Sequence, residues 1–343
     1  MHVHLVGSVP FSNAGEVFAK LGETLGSLAP RLPDGETGER LNWVGHLEKV
    51  FAASPALERS DEIFKIHPTA VGWHRYHLKK GRTIADLRFD NLFYADDAIR
   101  SYAVFFDLKT SGKILPGTRF QVALAPAHSV VWLFLADELH TPVDPIYNAA
   151  LKQEIERTAD AIPHGELAIQ IDVASAVFAR LERNEPSPYG RNKEEMQERF
   201  SSIVLDLANH VPGDVDLLLH LCYGDNNHRH VVDPTDMGDM VSFTNRISER
   251  ISRTIQLVHM PVPRNRIDDA YFGPLRFLKL RPETELCLGL VHFTDGLDGT
   301  LRRVATARKF VTSFAIATEC GFGRRDPKTI PELLRIHAAA ATS

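Results

Sequence analysis

Two apolar segments of this sequence end in side chains that bind transition metals. The first reads Asp216-Leu-Leu-Leu-His220-Leu-Cys222, and the second reads Phe314-Ala-Ile-Ala-Thr-Glu-Cys320. Because residues i and i+2 of a strand face the same side, His220 and Cys222 are spaced to hold one ion. One histidine and two cysteines with a fourth position left open are typical of a catalytic zinc site. The sequence therefore predicts that His220, Cys222 and Cys320 bind Zn²⁺.

Each segment taken alone also fits an ordinary core strand, because buried cysteines and hydrogen-bonded histidines are common. The third cysteine, Cys287, precedes His292 by five residues in a strand predicted at 285–293. It should lie about 16 Å from the end of that strand, so we assign it to the core. Three cysteines are too few for a disulfide framework.

Strand-like and helix-like stretches alternate from about residue 120, which favours repeated βα units. Strands are predicted at 3–8, 64–68, 121–126, 167–173, 215–222, 254–260, 285–293 and 314–320, and helices at 150–161, 193–209, 234–252, 300–312 and 330–339. Eight such units predict one α/β domain over 1–343, a single (β/α)8 TIM barrel. Its strand ends would bring both metal-binding segments together. Residues 30–115 have weak periodicity and are predicted to hold a lid or an insertion.

The composition of the 343 residues is globular, with 44% hydrophobic and 24% charged residues. The net charge of −5 gives no basis for binding nucleic acid or an anionic membrane. The sequence shows neither a signal peptide nor an apolar run long enough to span a membrane, so we expect a cytoplasmic protein.

Four short motifs resemble the C-terminal catalytic barrel of cobalamin-independent methionine synthase and its shorter relatives, which include epoxyalkane:coenzyme M transferase. In chain order they are Gly7-Ser8-Val9-Pro10, Ile169-Gln-Ile-Asp172, His220-Leu-Cys222-Tyr-Gly-Asp225 and Glu319-Cys320-Gly-Phe-Gly-Arg324. They resemble the turn that opens the barrel, the strand with the substrate-binding aspartate, the His-x-Cys zinc motif and the last zinc cysteine. Together they span nearly the whole chain.

The resemblance implies that Ser8 and Asp172 bind substrate, although Asp172 also fits a helix cap. Methionine synthases carry a zinc-binding glutamate after the next strand, whereas this chain reads Ile255-Gln-Leu-Val-His259-Met-Pro. A fourth protein ligand would therefore be His259 and not a carboxylate.

Coordination to Zn²⁺ deprotonates a thiol at neutral pH. Together with the resemblance, this predicts a zinc-dependent transferase that moves a methyl or alkyl group from a small-molecule donor to a small-molecule thiol. His292 and Asp295 are the candidate acid pair for the leaving group, although Asp295 equally fits a turn or a cap. Glu36 and Arg40 could contact a polar substrate tail, but they also fit ordinary turn composition.

Three other functions stay open. Met1-His2-Val3-His4 is similar to the His-x-His of amidohydrolase barrels, which would indicate a metal-dependent hydrolase acting on a small polar substrate. The barrel also resembles that of uroporphyrinogen decarboxylases, which would indicate a lyase. A noncatalytic thiol-binding or metal-binding protein is the third. His228-Arg-His230 could add metal ligands, but its polar loop favours a solvated role.

Overall fold

A parallel sheet of seven strands forms the centre of the protein, whose computed structural model describes residues 1–225 and 230–343. In chain order the strands are β1 (Arg31–Pro33), β2 (Leu57–Phe64), β3 (Trp73–Leu78), β4 (Arg119–Leu124), β5 (Leu167–Val173), β6 (Asp216–Leu221), β7 (Leu257–Pro261), β8 (Glu285–Val291) and β9 (Ala315–Thr318). The main sheet has the order β1-β4-β5-β6-β7-β8-β9, while β2 and β3 pair in a separate antiparallel hairpin. Strands β4 to β9 confirm six of the predicted strands.

Helices connect the parallel strands, as crossovers between such strands require. They are α1 (Ala14–Leu25), α2 (Glu48–Ala53), α3 (Tyr94–Thr110), α4 (Ala127–Phe134), α5 (His140–Ala161), α6 (Ser175–Arg183), α7 (Lys193–Ala208), α8 (Gly238–Arg250), α9 (Asp269–Phe272), α10 (Gly296–Ala307) and α11 (Ile330–Ala341). Five of them confirm the predicted helices. Their boundaries differ from the predicted ones by at most five residues, except that α5 begins ten residues before the predicted start at 150. None of the helices in the described ranges has the length and apolarity that a membrane crossing needs.

Helix α7 shows why these sequences become helices that cover the sheet. The side chain of Asn192 accepts a hydrogen bond from the backbone N–H of Glu195 and so caps the first turn. Met196, Phe200 and Val204 repeat every four residues and are buried, which gives the helix one apolar face toward the core.

The register of the sheet aligns three polar residues across neighbouring strands. Asp172 on β5 is paired with His220 on β6, and His220 is paired with His259 on β7. All three strands are otherwise almost entirely apolar and buried on both faces, as in sheets covered by helices. The polar residues therefore form a row at the carboxyl ends of the strands, where ligand sites of parallel α/β folds lie.

The first predicted strand, at 3–8, is reduced to a single parallel bridge between Val3 and Ile316 on β9. On the other side, the N–H of Val3 donates to the carbonyl oxygen of Leu28, just before β1. Side-chain amides replace further ladder bonds, because Gln121 donates to the carbonyl oxygens of Leu5 and Val6. The sheet is thus curled, with both edges reaching the N-terminal segment, but within the described residues it has seven strands and is not a complete eight-stranded barrel.

The predicted strand at 64–68 is wrong. The second barrel position belongs to β1, whereas Phe64 ends β2 of the hairpin. Strand β1 has only three residues, follows Pro30 and ends at Pro33, so it carries no period-2 apolar pattern that a sequence could reveal. The hairpin lies within 30–115, the segment predicted to hold a lid or an insertion.

Candidate metal centre

The structure brings His220, Cys222 and Cys320 together at the carboxyl ends of the sheet. One ligand atom from each of the three lies within 4.8 Å of the others. His220 is on β6, and Cys222 follows that strand with its N–H bonded to the carbonyl oxygen of Val173. Cys320 arrives from the far edge of the sheet, after β9. The curl of the sheet therefore assembles the cluster from segments about 100 residues apart.

His259 lies behind His220 and not among the three ligand atoms. Its Nε2 is 3.0 Å from the carbonyl oxygen of Thr318, which can only accept, so Nε2 carries the hydrogen. Burial lowers the pKa of His259 to about 3, so the ring is neutral and its Nδ1 is an acceptor. Both ring nitrogens of His259 are thus engaged, and neither is available for the fourth ligand position expected from the sequence.

This arrangement fixes the tautomer of His220. The Nδ1 atoms of His220 and His259 are 2.7 Å apart, so the hydrogen between them must belong to His220. Burial and the nearby His259 hold the pKa of His220 well below its ordinary value, so this ring is also neutral. Its Nε2 therefore keeps an unshared electron pair, the form of histidine that binds a metal.

The two thiols of the cluster complete a donor set that fits zinc. Hydrogen bonding to Cys320, followed by burial, raises the pKa of the Cys222 thiol well above its usual range. A bound cation would replace the shared proton, because metals coordinate thiolates. The N–H of Gly224 points at the sulfur of Cys222 over 3.2 Å and would stabilise the anion. Two thiolates and one neutral imidazole form the soft N/S set that zinc selects.

A small cavity opens in front of the cluster, and we name it the metal cavity. It has a volume of about 50 Å³ and is also lined by Ser8, Glu36, Trp43 and Asp172. Burial raises the pKa of Asp172 to about 8, against hydrogen bonds from Gln170 and Trp43. Burial and the charge of Asp172 raise the pKa of Glu36 to about 8 as well. Two carboxyl groups beside the thiols thus both tend to keep their protons near neutral pH.

Backbone strain is concentrated in the loop that delivers Glu36 and Trp43. Both residues have positive φ, 46° and 49°, although neither is glycine. Such conformations are costly and persist where the surrounding structure imposes them, often at functional sites. Gly35 also has positive φ, and a Cβ there would lie 2.6 Å from a methyl group of Val17. Sequence reasoning did not single out Trp43, because its place in the cavity depends on this loop geometry.

Ser8 and Arg40, predicted to bind substrate, have structural partners. The hydroxyl of Ser8 accepts from the N–H of Gly323, which ties the N-terminal segment to the loop after β9, and Ser8 also lines the metal cavity. Arg40 donates to Asp34 over 2.6 Å and does not line the metal cavity. It lies beside Glu36, where its charge opposes the rise in the pKa of that carboxyl group.

The two residues of the predicted acid pair, His292 and Asp295, each hydrogen-bond to another partner. Both carboxylate oxygens of Asp295 accept from the buried Arg303, at 2.6 and 2.8 Å. His292 donates through Nε2 to the carbonyl oxygen of Val262, and its Nδ1 is 3.7 Å from Oε1 of Glu319. Glu319, which directly precedes Cys320, was not predicted from the sequence to lie beside His292.

His292 and Glu319 line a second cavity, which we name the outer cavity. Its volume is about 700 Å³. Nε2 of His230 lies 2.9 Å from Oε2 of Glu319 in the same cavity. His228, the other histidine of the predicted loop motif, lies outside the described residues.

The remaining histidine and cysteine predictions have simple outcomes. Cys287 is fully buried in an apolar cluster with Leu218 and Leu257, which confirms its assignment to the core. His2 pairs with Glu285 at the amino end of β8, whereas His4 is buried near His259. The two histidines of the hydrolase-like motif therefore do not converge on one site.

Comparison with known proteins gives structural matches only. A scan of family profiles and a search of curated protein sequences both find no match to this chain. A B12-independent methionine synthase from Shewanella sp. W3-18-1, solved in complex with selenomethionine, has a similar fold with a TM-score of 0.66 and 12% identity. The similarity covers 99% of this chain and 96% of that one.

Two other solved structures are similar over nearly their whole length. One is a candidate vitamin-B12-independent methionine synthase from Listeria monocytogenes, with a TM-score of 0.58 and 13% identity over 100% of this chain and 97% of that one. The other is a methyltransferase from Methanosarcina mazei, with a TM-score of 0.57 and 12% identity over 98% and 94%. At such low identity, these similarities establish the fold.

Proposed function

We propose that this protein is a zinc-dependent transferase that moves a methyl or alkyl group to the sulfur of a small thiol. The observation that carries the proposal is the cluster of His220, Cys222 and Cys320, which opens into a cavity lined by the carboxyl groups of Asp172 and Glu36. The shared fold with a methionine synthase and a methyltransferase supports it. We further propose that 1–343 act as one domain, with the β2–β3 hairpin near the cavity mouth.

His220, Cys222 and Cys320 would hold the zinc, and His259 would orient His220 through the hydrogen bond between the two rings. A bound zinc ion would lower the pKa of a substrate thiol so that it is a thiolate at neutral pH. With three protein ligands, one coordination position remains for that thiol.

Asp172 and Glu36 would serve the substrate on the other side of the metal cavity. Because the pKa of each lies at about 8, one carboxyl group can bind an ammonium group as a carboxylate while the other keeps its proton. When the sulfur–carbon bond forms and the bond to the leaving group breaks, the protonated carboxyl group can supply the proton that the leaving group needs. His292 faces the outer cavity, and Asp295 is held by Arg303, so neither is placed for this step.

Turnover assays test the proposal directly. The zinc-loaded protein is incubated with homocysteine, coenzyme M, cysteine or glutathione and with a methyl donor or an epoxide, and the thioether product is measured. We expect one thiol to be alkylated, and Cys320→Ser to lower the rate at least about 100-fold. Cys287→Ser is the matched control and should keep the rate.

Two outcomes would contradict the proposed function. One is a thiol alkylation rate that is unchanged by Cys320→Ser and by a zinc chelator. The other is a zinc-loaded protein that alkylates no thiol but cleaves an amide or an ester, which would favour the hydrolase.

A further inference from the structure

The outer cavity lies beside the metal cavity and shares a wall with it. Glu319 lines the outer cavity, and the next residue, Cys320, lines the metal cavity. The outer cavity is formed by residues 230–233 and by the loops that follow β7, β8 and β9, together with His67 from the hairpin tip. Its volume of about 700 Å³ is that of a small-molecule site, and its position at the carboxyl ends of the strands is where such sites occur.

The floor of this cavity presents two hydrogen-bond acceptors to the same point. His292 uses its Nε2 hydrogen on the carbonyl oxygen of Val262, and burial lowers the pKa of its ring to about 4. The Nδ1 of His292 is therefore an acceptor, and Oε1 of the Glu319 carboxylate lies 3.7 Å away. Two acceptors cannot satisfy each other. A donor atom about 2.9 Å from both would satisfy them.

Arg325, which also lines the cavity, has an unused donor. Its Nε atom is fully buried and has no hydrogen-bond partner among residues 1–225 and 230–343. A buried N–H without a partner is destabilising, so Arg325 favours a ligand that carries an acceptor.

The charges around the cavity are balanced. Asp233 and Glu319 contribute two carboxylates, while Arg264 and Arg325 contribute two guanidinium groups. A ligand with a net positive charge would leave the two guanidinium groups without an opposite charge, and a ligand with a net negative charge would leave the two carboxylates without one. A zwitterion matches both, because its cationic and anionic ends each find the opposite charge.

We propose that the outer cavity is a second ligand site, separate from the metal centre, for a zwitterionic amino compound. Its ammonium group lies between Nδ1 of His292 and Oε1 of Glu319, and its carboxylate accepts from Nε of Arg325. The site requires neither zinc nor a thiol, so it stands apart from the function proposed above.

Three probes of similar size separate the contributions of the two ligand ends. They are 4-aminobutyrate, its N-trimethylated analogue, which keeps the charge but has no N–H donor, and butyrate, which lacks the cation. Binding to the full-length protein is measured by saturation-transfer NMR titration. We expect 4-aminobutyrate to bind at least about tenfold more tightly than either of the others. Equal binding of the trimethylated analogue, or no binding of any probe, would overturn the proposal.

Variants locate the site. Glu319→Gln and Arg325→Gln should each weaken 4-aminobutyrate binding about tenfold, while Glu185→Gln, at an exposed position away from the cavity, should not. Zinc content is measured on the same samples, so that a collapse of the metal centre is distinguished from a loss of the ligand site. An unchanged affinity in Glu319→Gln refutes the assignment. If that variant does not fold, the comparison of probes on the unmodified protein still decides.

Discussion

Replacing Asp172 with asparagine is expected to stabilise the metal-free protein at neutral pH. In the folded protein the pKa of Asp172 is about 8, whereas an unfolded aspartate titrates near about 3.9. Between these values the folded state binds more protons than the unfolded state, so the free energy of unfolding falls as the pH rises. Each pH unit costs about 1.4 kcal/mol, which gives at most about 4 kcal/mol by pH 7. Asparagine has no charge to desolvate and can still accept the hydrogen bond from Gln170.

Urea denaturation of the metal-free protein at several pH values measures this effect. The free energies of unfolding of the variant and the unmodified protein should be similar near pH 4 and should diverge up to about pH 8. Asp298→Asn, at an exposed position on α10, is the control and should follow the unmodified protein. If Asp172→Asn is no more stable at pH 7 than at pH 4 relative to the unmodified protein, the carboxyl group is not buried in the way described.

Three further predictions concern the side chains around the site. His259→Leu removes the acceptor that fixes the tautomer of His220, so zinc affinity measured by chelator competition should fall about 10- to 100-fold. If X-ray absorption also showed the loss of a nitrogen ligand, His259 would instead be a fourth ligand of the zinc. Asp295→Ala leaves the buried Arg303 without its carboxylate, so urea denaturation should show a loss of about 3 kcal/mol; lost turnover with unchanged stability would instead indicate an acid. Metal analysis of the purified protein should find about one zinc per chain, most of which is lost in Cys222→Ser and Cys320→Ser and retained in Cys287→Ser. Full zinc occupancy in all three variants would refute the site.

The parts of the fold that could be predicted are those in which local pattern and tertiary structure agree. Strands β5 and β8 are long, mostly apolar runs, so the sequence alone locates them. Strand β1 could not be located, because its three residues, the last of which is Pro33, carry no periodicity. The N-terminal segment reads as a strand, yet the side chain of Gln121 bonds carbonyl groups that a ladder would otherwise use. That competition involves a residue more than 100 positions away.

The candidate site also has features that the sequence predicts and features that it does not. The spacing of His220 and Cys222 in one strand predicts that they share a face, and the position of Cys320 after another strand predicts that it joins them. The role of His259 depends on which of its nitrogens meets the carbonyl oxygen of Thr318, and no sequence pattern carries that information. The same holds for Asp295, whose partner Arg303 lies two turns along the following helix.

X-ray absorption at the zinc edge tests the central claim most directly, because it reports the ligands of the metal before and after a thiol is added. The resting protein should show two sulfur ligands and one imidazole nitrogen from His220, Cys222 and Cys320. The thiol that supports turnover should add one sulfur at about 2.3 Å. If that thiol is alkylated while the sulfur count at zinc stays unchanged, direct activation of the substrate thiol by the metal is contradicted.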